Sequence, residues 1–188
     1  APEADIQVNA DSRRVRAGDV FVAVQGVHSD GHDYIGQALQ NGAAYIVCQK
    51  PVDCGKAQRI IVNNSAYALG VLAQAAEGNP NAELTNLAVT GTNGKTTTSF
   101  LVRSVIETAG YEAGLIGTII MSAGRNIQEA AMTTPDSLTI AKAARQMVHD
   151  GAKFMVIEAS SHGLAQERLA GFSFTAAAFT NLTGAHLA

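Results

Sequence analysis

The sequence contains no tryptophan, only two cysteines and little aromatic or basic character. Aromatic residues make up 5% of the 188 positions, which leaves few side chains that could stack on nucleic-acid bases. The formal net charge is −3 and no basic block occurs, so we expect neither a nucleic acid nor an anionic membrane surface as a partner. No apolar run approaches the roughly 20 residues that a membrane-spanning helix needs.

The remaining composition is that of a globular protein, with 47% hydrophobic and 15% charged residues. Cys48 and Cys54 are too few for a disulfide framework or a structural zinc site. Residues 1–5 lack the cationic and apolar pattern of a secretion signal, and the missing initiator Met indicates a processed or trimmed chain. We therefore expect a protein of the reducing cytoplasm.

The first part of the sequence predicts a small α/β domain over residues 1–80. Apolar runs bounded by glycine predict buried strands, and apolar periodicity predicts helices. The predicted strands are 19–24, 43–48 and 59–62, and the predicted helices are 34–39 and 65–76. Ser65 is the predicted cap of the second helix, and the turn residues 78–81 are the best candidate for a domain boundary.

From residue 81 onward, strand and helix patterns alternate, which predicts a mostly parallel sheet with helices on both faces. The predicted strands are 84–89, 112–116 with 118–121, 154–158 and 176–180, and the predicted helices are 96–109 and 137–150, with a short turn near 165–169. Ligands bind at the carboxyl ends of such strands, where Gly91, Glu158 and Asn181 lie.

Residues 90–97, Thr-Gly-Thr-Asn-Gly-Lys-Thr-Thr, join an apolar strand to the start of a helix and predict a phosphate-binding loop. Backbone N–H groups of the turn and of the helix start would face an anion, Lys95 would supply a positive charge, and the Thr96 hydroxyl could reach Mg²⁺. The common pattern has glycine at the position of Val89, so this loop is a variant. The alternative is an ordinary strand-to-helix turn with an exposed lysine.

Further polar residues follow predicted strands or turns. Glu158 ends an apolar strand and is a candidate metal or catalytic carboxylate, with a solvated strand end as the alternative. The segment 160–162, Ser-Ser-His, lacks the Gly-x-Ser-x-Gly elbow of a hydrolase nucleophile. In the turn 132–137, capping explains Asp136 and Ser137 and leaves Thr133 and Thr134 free as ligand donors.

Two loops flank the first strand, Asp11-Ser12-Arg13-Arg14 and His28-Ser29-Asp30-Gly31-His32. Turn geometry explains them at least as well as a ligand site does. Two histidines four residues apart, outside a helix and without Cys or Glu nearby, are weak grounds for a metal site.

The loop at 90–97 resembles that of the Mur ligases, ATP-dependent amide-forming enzymes of peptidoglycan synthesis. Three further segments are similar to the tripeptide-synthetase (MurE) branch of that family: residues 11–13 with 18–23 and 30–35, residues 133–135, and residues 158–168. The resemblance covers nearly the whole chain in the right order.

The resemblance implies a reaction and its cofactors, ATP and Mg²⁺. ATP would phosphorylate the free carboxylate of UDP-N-acetylmuramoyl-L-alanyl-D-glutamate, and the amine of a diamino acid would displace phosphate from the acyl phosphate. We expect a monomer that needs no nucleic acid and no membrane.

The resemblance also assigns residues to roles. ATP binding falls to Gly91, Thr92, Asn93, Gly94, Lys95, Thr96, Thr97 and Asn181. The uridine diphosphate end falls to Ser12, His28 and Ser29, and the muramoyl-peptide portion to Thr133, Thr134, Ser160, Gln166 and Arg168. Thr96 and Glu158 would hold the metal, and the catalytic residues would be Lys95, Glu158 and His186.

The sequence departs from the family in one segment and in length. The family reads Asn-Leu-(Thr/Ser)-Arg-Asp-His-Leu-Asp where this chain has Asn-Leu-Thr-Gly-Ala-His-Leu-Ala at 181–188. Family members are more than twice as long, so we expect the C-terminal domain to be absent and the chain alone not to complete the ligation. A non-catalytic nucleotide- or UDP-substrate-binding module, another Mur ligase and a folylpolyglutamate-type ligase are the alternatives.

Overall fold

The structure, a computed structural model, describes residues 6–26, 29–123 and 126–183. The first sheet has four parallel strands in the order β1-β2-β3-β4. Its elements are β1 (Val8–Asn9), β2 (Val20–Val22), α1 (Ile35–Gln40), β3 (Tyr45–Cys48), β4 (Gln58–Ile61) and α2 (Ser65–Ala76).

Alternate side chains of β2 and β3 point to opposite faces of this sheet, and a helix covers each face. Phe21 and Ile46 share one core with Ile35 of α1. Val22 and Val47 share the other core with Leu69 of α2.

The second sheet has six strands in the order β10-β5-β9-β6-β7-β8. The first four are parallel, and β7 and β8 extend the sheet as an antiparallel pair. Its elements are β5 (Thr85–Thr90), α3 (Lys95–Thr108), β6 (Ala113–Ile116), β7 (Ile120–Ala123), β8 (Asn126–Glu129), α4 (Ser137–His149), β9 (Phe154–Glu158), α5 (Ser161–Ala165) and β10 (Ala176–Phe179).

Strand β9 lies between β5 and β6 and has one helix on each side. Met155 and Ile157 share a core with Met147 of α4. Val156 lies in the opposite core, against which Val102 of α3 packs. The predicted α/β class with helices on both faces is therefore confirmed.

The two sheets contact each other through α2 and α4. Arg145 of α4 donates hydrogen bonds to Glu77 O at 2.6 Å, to Gly78 O at 2.8 Å and to the Glu83 carboxylate at 2.8 Å. The guanidinium thus binds the backbone at the end of α2. No helix of the described residues has the length and apolar character needed to cross a membrane.

Local differences from the sequence predictions have local causes. The cap of α2 is Asn64, whose side chain accepts from Tyr67 N, and the prediction of Ser65 was wrong. Ser65 is buried and donates to Gln49 Oε1 at 2.7 Å. The strand predicted at 118–121 begins at Ile120, and the pairing of β7 with β8 was not predicted, nor was helix α5.

Candidate functional site

Two glycines shape the loop between β5 and α3. Gly91 has φ +130° and Gly94 has φ +83°, conformations that residues with a Cβ rarely adopt. A Cβ at Gly91 would also lie 2.2 Å from Thr180 Oγ1. Glycine is therefore required at Gly91 both for the backbone conformation and for the close approach of the segment that follows β10.

The start of α3 offers amide donors to an anion. Its N-cap is Gly94, which supplies no side-chain hydrogen bond. Within the described part of the chain, the amides of Lys95, Thr96 and Thr97 have no hydrogen-bond partner. Unpaired amides and the positive end of the helix dipole together favour a bound phosphate.

Asn181 braces the loop from the neighbouring strand. Its backbone O accepts from Thr92 N at 2.9 Å, its Oδ1 accepts from Asn93 N at 3.1 Å, and its Nδ2 donates to Asn93 O at 3.0 Å. The amides of Thr92 and Asn93 are thus engaged, so the amides available to an anion are those of the helix start.

Lys95 lies folded over the loop. Its Nζ donates to Gly91 O at 2.7 Å and to Thr92 O at 3.1 Å. These two carbonyls hold the ammonium beside the unpaired amides of α3. A phosphate there would meet a positive charge already in place.

Glu158 ends β9 and is fully buried, so the alternative of a solvated strand end was wrong. Its Oε2 accepts from Thr96 Oγ1 at 3.0 Å and from Thr118 Oγ1 at 2.8 Å. Its Oε1 accepts from Ser99 Oγ and from Thr118 N, both at 3.2 Å. A Cβ at Gly117 would lie 2.2 Å from Oε1, so glycine is needed beside the carboxylate.

The Thr96 hydroxyl and the Glu158 carboxylate fit a magnesium ion. Both are hard oxygen donors, and Mg²⁺ in nucleotide sites takes one or two such protein ligands and completes its shell with water and phosphate oxygens. The described residues contain no group of three or more His, Cys, Asp and Glu side chains that could hold a metal ion. The fit therefore depends on Thr96 and Glu158 standing next to the phosphate-binding loop.

A cleft of about 700 Å³ lies between the two sheets. One wall is formed by α2 and the loops that follow β2, β3 and β4, and the other by Met132, Asp136, Ser137 and residues 165–168. Gln166 and Arg168, which the resemblance assigns to the muramoyl-peptide portion, are among the residues that line it. Arg168 donates to Thr134 O at 2.6 Å and to Gln166 Oε1 at 2.7 Å, which fixes its guanidinium at the cleft wall.

Thr134 has a structural role, and the expectation that its hydroxyl is free was wrong. The side chain is 1% exposed, donates to Glu158 O at 2.7 Å and accepts from Ser160 N at 2.9 Å. Ser160 in turn caps α5, since its Oγ accepts from Gly163 N. Thr133 is partly exposed and contacts Thr118 Oγ1 at 3.1 Å.

The residues predicted for the uridine diphosphate end are spread out. Ser12 is buried, and its hydroxyl donates to Gln37 Oε1 at 2.5 Å, away from the residues that line the cleft. Ser29 is exposed in the loop after β2, where its backbone O accepts from Gly26 N. His28 and His186 lie outside the described residues, as does the divergent segment 184–188.

His32 holds loops of the first sheet together. Its Nδ1 contacts Asp30 Oδ1 at 2.5 Å and its Nε2 accepts from Gln49 N at 2.9 Å. The backbone N–H and the ring of His32, together with Lys50, hold the pKa of Asp30 well below its usual range. Both ring nitrogens of His32 are engaged, which agrees with the weak case for a metal site at this loop.

Ser99 and Thr118 were missed by the sequence analysis although both bind Glu158. A signal was present for each of them. Ser99 follows Thr96 by three residues on one helix, so the two side chains share a face. Thr118 follows a predicted buried strand at its carboxyl end, the edge of the sheet where ligands gather.

Comparison with known proteins identifies two family regions in this chain. Residues 89–188 match the Mur ligase middle domain, and residues 7–100 match the catalytic domain of the Mur ligase family. A UDP-N-acetylmuramoyl-L-alanyl-D-glutamate--2,6-diaminopimelate ligase of Clostridium botulinum is 40% identical and covers 96% of this chain, and the enzyme of that name from Bacillus licheniformis is 43% identical over the same share. The chain spans 38% and 37% of the length of these relatives.

Solved ligase structures superpose on this chain as well. A UDP-N-acetylmuramoyl-L-alanyl-D-glutamate--2,6-diaminopimelate ligase superposes with a TM-score of 0.79 at 30% identity, over 96% of this chain and 37% of that one. The MurF ligase of Thermotoga maritima, solved with ADP, superposes with a TM-score of 0.63 at 26% identity, over 97% of this chain and 39% of that one.

Proposed function

This chain belongs to the Mur ligase family, and we propose that it carries the ATP site and the UDP-substrate site of an amide ligase that builds the peptidoglycan precursor. The acceptor is UDP-N-acetylmuramoyl-L-alanyl-D-glutamate, and the added group is a diamino acid. The relatives are named as 2,6-diaminopimelate ligases, which favours 2,6-diaminopimelate as that diamino acid. Residues 1–80 would bind the uridine diphosphate end and residues 81–188 the nucleotide, in a monomeric protein of the cytoplasm.

One observation carries the proposal: the Thr96 hydroxyl lies 3.0 Å from the buried Glu158 carboxylate, in the first turn of a helix whose first amides have no partner among the described residues. An ordinary strand-to-helix turn has no need to bury a carboxylate there, because burial of a charged group is costly without a function or a strong partner. A triphosphate and its cation would use the amides, the lysine and the two oxygen donors together.

The first step joins an oxygen of the glutamyl carboxylate to the γ-phosphorus of ATP, and ADP leaves. Lys95 and the amides of α3 hold the phosphate oxygens in place, and this positioning is most of what phosphoryl transfer requires. Bound Mg²⁺ supplies further charge neutralisation at Thr96 and Glu158. In the second step the amine attacks the acyl carbon, phosphate leaves and the amine loses a proton.

The cleft suits the muramoyl-peptide portion. Arg168 presents a planar, permanently charged group of the kind that pairs with a carboxylate or a phosphate. Its guanidinium already donates to Thr134 O, Gln166 Oε1 and Met132 Sδ, so among the described residues one Nη2 N–H is left for a ligand. Gln166 stands beside it on the same wall.

Titration calorimetry of the 188-residue chain tests the proposal. We expect binding of ATP with Mg²⁺, weaker binding of ATP in EDTA, and separate binding of UDP-N-acetylmuramoyl-L-alanyl-D-glutamate. Glu158→Gln should remove the gain due to Mg²⁺. Glu107→Gln, at the exposed end of α3, is the matched control and should bind like the parent chain.

The outcomes separate the alternatives. Absence of ATP binding and of UDP-substrate binding would overturn the proposal. Binding of both, with no tripeptide formed when a diamino acid is added, would assign this chain to binding alone and leave the ligation to the longer protein.

A further inference from the structure

Thr118 donates more hydrogen bonds to the Glu158 carboxylate than any other described residue does. Its N–H donates to Oε1 at 3.2 Å and its hydroxyl donates to Oε2 at 2.8 Å. Thr96 and Ser99 each bind one carboxylate oxygen. Thr118 therefore fixes the rotation of the carboxylate, because it alone among the described residues holds both oxygens.

The backbone before Thr118 is fitted to the same carboxylate. A Cβ at Gly117 would lie 2.2 Å from Glu158 Oε1 and 2.8 Å from Glu158 Cδ. No L side chain fits at that distance, so the close approach that brings Thr118 N to the carboxylate depends on glycine. Gly117 and Thr118 follow directly on β6, the strand that pairs with β9.

The hydroxyl of Thr118 also reaches Thr133, at 3.1 Å. A hydroxyl has one proton, and the Thr118 proton lies in the bond to Glu158 Oε2. Thr118 therefore accepts in the second contact, and Thr133 donates. The Thr133 hydroxyl then has only its lone pairs to offer, so a ligand at Thr133 is expected to supply an N–H or O–H donor.

We propose that Thr118 is a positioning residue: it sets the Glu158 carboxylate toward the cation and joins it through Thr133 to the turn 132–137, which borders the cleft. The inference rests on the proposed function, because it concerns the nucleotide and UDP-substrate sites of that ligase. Binding at one site would then change the affinity of the other through the hydrogen-bonded side chains of Glu158, Thr118 and Thr133. Such coupling is reciprocal.

Thr118→Val tests the first half, because valine keeps the β-branched shape and the N–H but lacks the hydroxyl. We expect the affinity for ATP with Mg²⁺ to fall about tenfold, the range for loss of a hydrogen bond to a charged group. The affinity for ATP in EDTA should stay within about twofold, since the phosphate amides are untouched. Thr118→Ser restores the hydroxyl and should restore the Mg²⁺-dependent gain.

Thr108→Val is the matched control. Thr108 also loses a hydroxyl hydrogen bond in this variant, but it lies at the exposed end of α3, and among the described residues its hydroxyl bonds only to Ser104 O. Its nucleotide affinity should equal that of the parent chain in both buffers. A drop in Thr118→Val that is equal in Mg²⁺ and in EDTA would overturn the proposal, as would a serine variant as weak as the valine variant.

Thr133→Val tests the second half and does not touch Glu158. We expect that UDP-N-acetylmuramoyl-L-alanyl-D-glutamate, at a concentration that saturates this variant, no longer changes the affinity of the variant for ATP with Mg²⁺. A parent chain in which the two ligands bind independently would overturn the link to the cleft. If the unsubstituted chain binds no ATP, both the proposed function and this inference are overturned. If it binds ATP with Mg²⁺ and Thr118→Val binds equally tightly, the inference alone is overturned.

Discussion

Replacing Thr134 by valine should destabilise the protein strongly, although valine has nearly the same shape. The hydroxyl donates to Glu158 O at 2.7 Å and accepts from Ser160 N at 2.9 Å, and the side chain is 1% exposed. Valine removes the partner of both backbone groups and the contact of the hydroxyl with Ser160 Oγ at 3.0 Å. The perturbation therefore acts on the hydrogen bonds of one hydroxyl and changes the side-chain volume little.

The magnitude follows from the burial of each group. An unsatisfied buried acceptor costs about 1–3 kcal/mol, which applies to Glu158 O, and the partly buried amide of Ser160 adds about 1 kcal/mol. We expect Thr134→Val to lower the free energy of unfolding by about 2–4 kcal/mol, a large share of the 5–15 kcal/mol that is usual for a domain.

Urea unfolding followed by circular dichroism measures this loss through the midpoint at constant m-value. Thr134→Ser keeps the hydroxyl and should lose no more than about 1.5 kcal/mol, the value of a buried methyl and its packing. Thr133→Val removes a partly exposed hydroxyl and should cost less than about 1 kcal/mol. A Thr134→Val midpoint equal to that of Thr133→Val would refute the reasoning.

Three further predictions probe the fold. Arg145→Ala should lower the free energy of unfolding by about 1–3 kcal/mol, measured in urea, because it removes hydrogen bonds to Glu77 O and Gly78 O at the contact of α2 with α4; an unchanged midpoint would show that this contact adds nothing. Gly70→Ala should destabilise the protein by about 1–3 kcal/mol, since the new Cβ would lie 2.3 Å from Ala170 O. Gly36→Ala on α1 is the control, because its Cβ meets nothing within 4 Å, and it should be neutral or stabilising. Equal effects of the two changes on thermal unfolding would contradict this. The pKa of Asp30 is lower in the folded protein than in the unfolded chain, where it is about 4. The ionised carboxylate therefore stabilises the fold above the unfolded-state pKa, and this stabilisation is lost as the pH falls through the folded-state pKa. In urea, Asp30→Asn should therefore show a lower free energy of unfolding than the unsubstituted chain, with the full difference at pH 7 and a smaller one below pH of about 4. A difference that does not depend on pH would contradict this role of Asp30.

The sequence predicted those parts of the site that depend on residues close together along the chain. Gly91 and Gly94 adopt the positive φ angles that a tight loop requires, and Asp136 caps α4 by accepting from Thr139 N. Such features depend on neighbours within four residues and are legible from residue type. Apolar runs likewise identified β5 and β9, because strands buried on both faces are continuously apolar.

The sequence could not predict partners that the fold brings together from a distance. Thr134 was expected to be free because capping explained only Asp136 and Ser137, and its partner Glu158 O comes from the end of β9. Asn181 was expected to bind ATP, which stays a prediction, and its contacts with the backbone of Asn93 were not predicted. In both cases the partner is a backbone group whose position depends on the sheet order, which residue type does not encode.

The two candidate sites share one short stretch of chain, and this bears on how they can act together. Glu158 ends β9, Ser160 caps α5, and Gln166 and Arg168 line the cleft only a few residues later. Thr134 O accepts from Arg168 while the Thr134 hydroxyl holds Glu158 O, so the cleft wall and the carboxylate strand are anchored to the same residue. A ligand that displaces Arg168 would therefore act on the residue that fixes the end of β9. This connection ends at the backbone oxygen of Glu158, whereas the one through Thr133 and Thr118 ends at the Glu158 carboxylate, so only the second reaches the cation site directly.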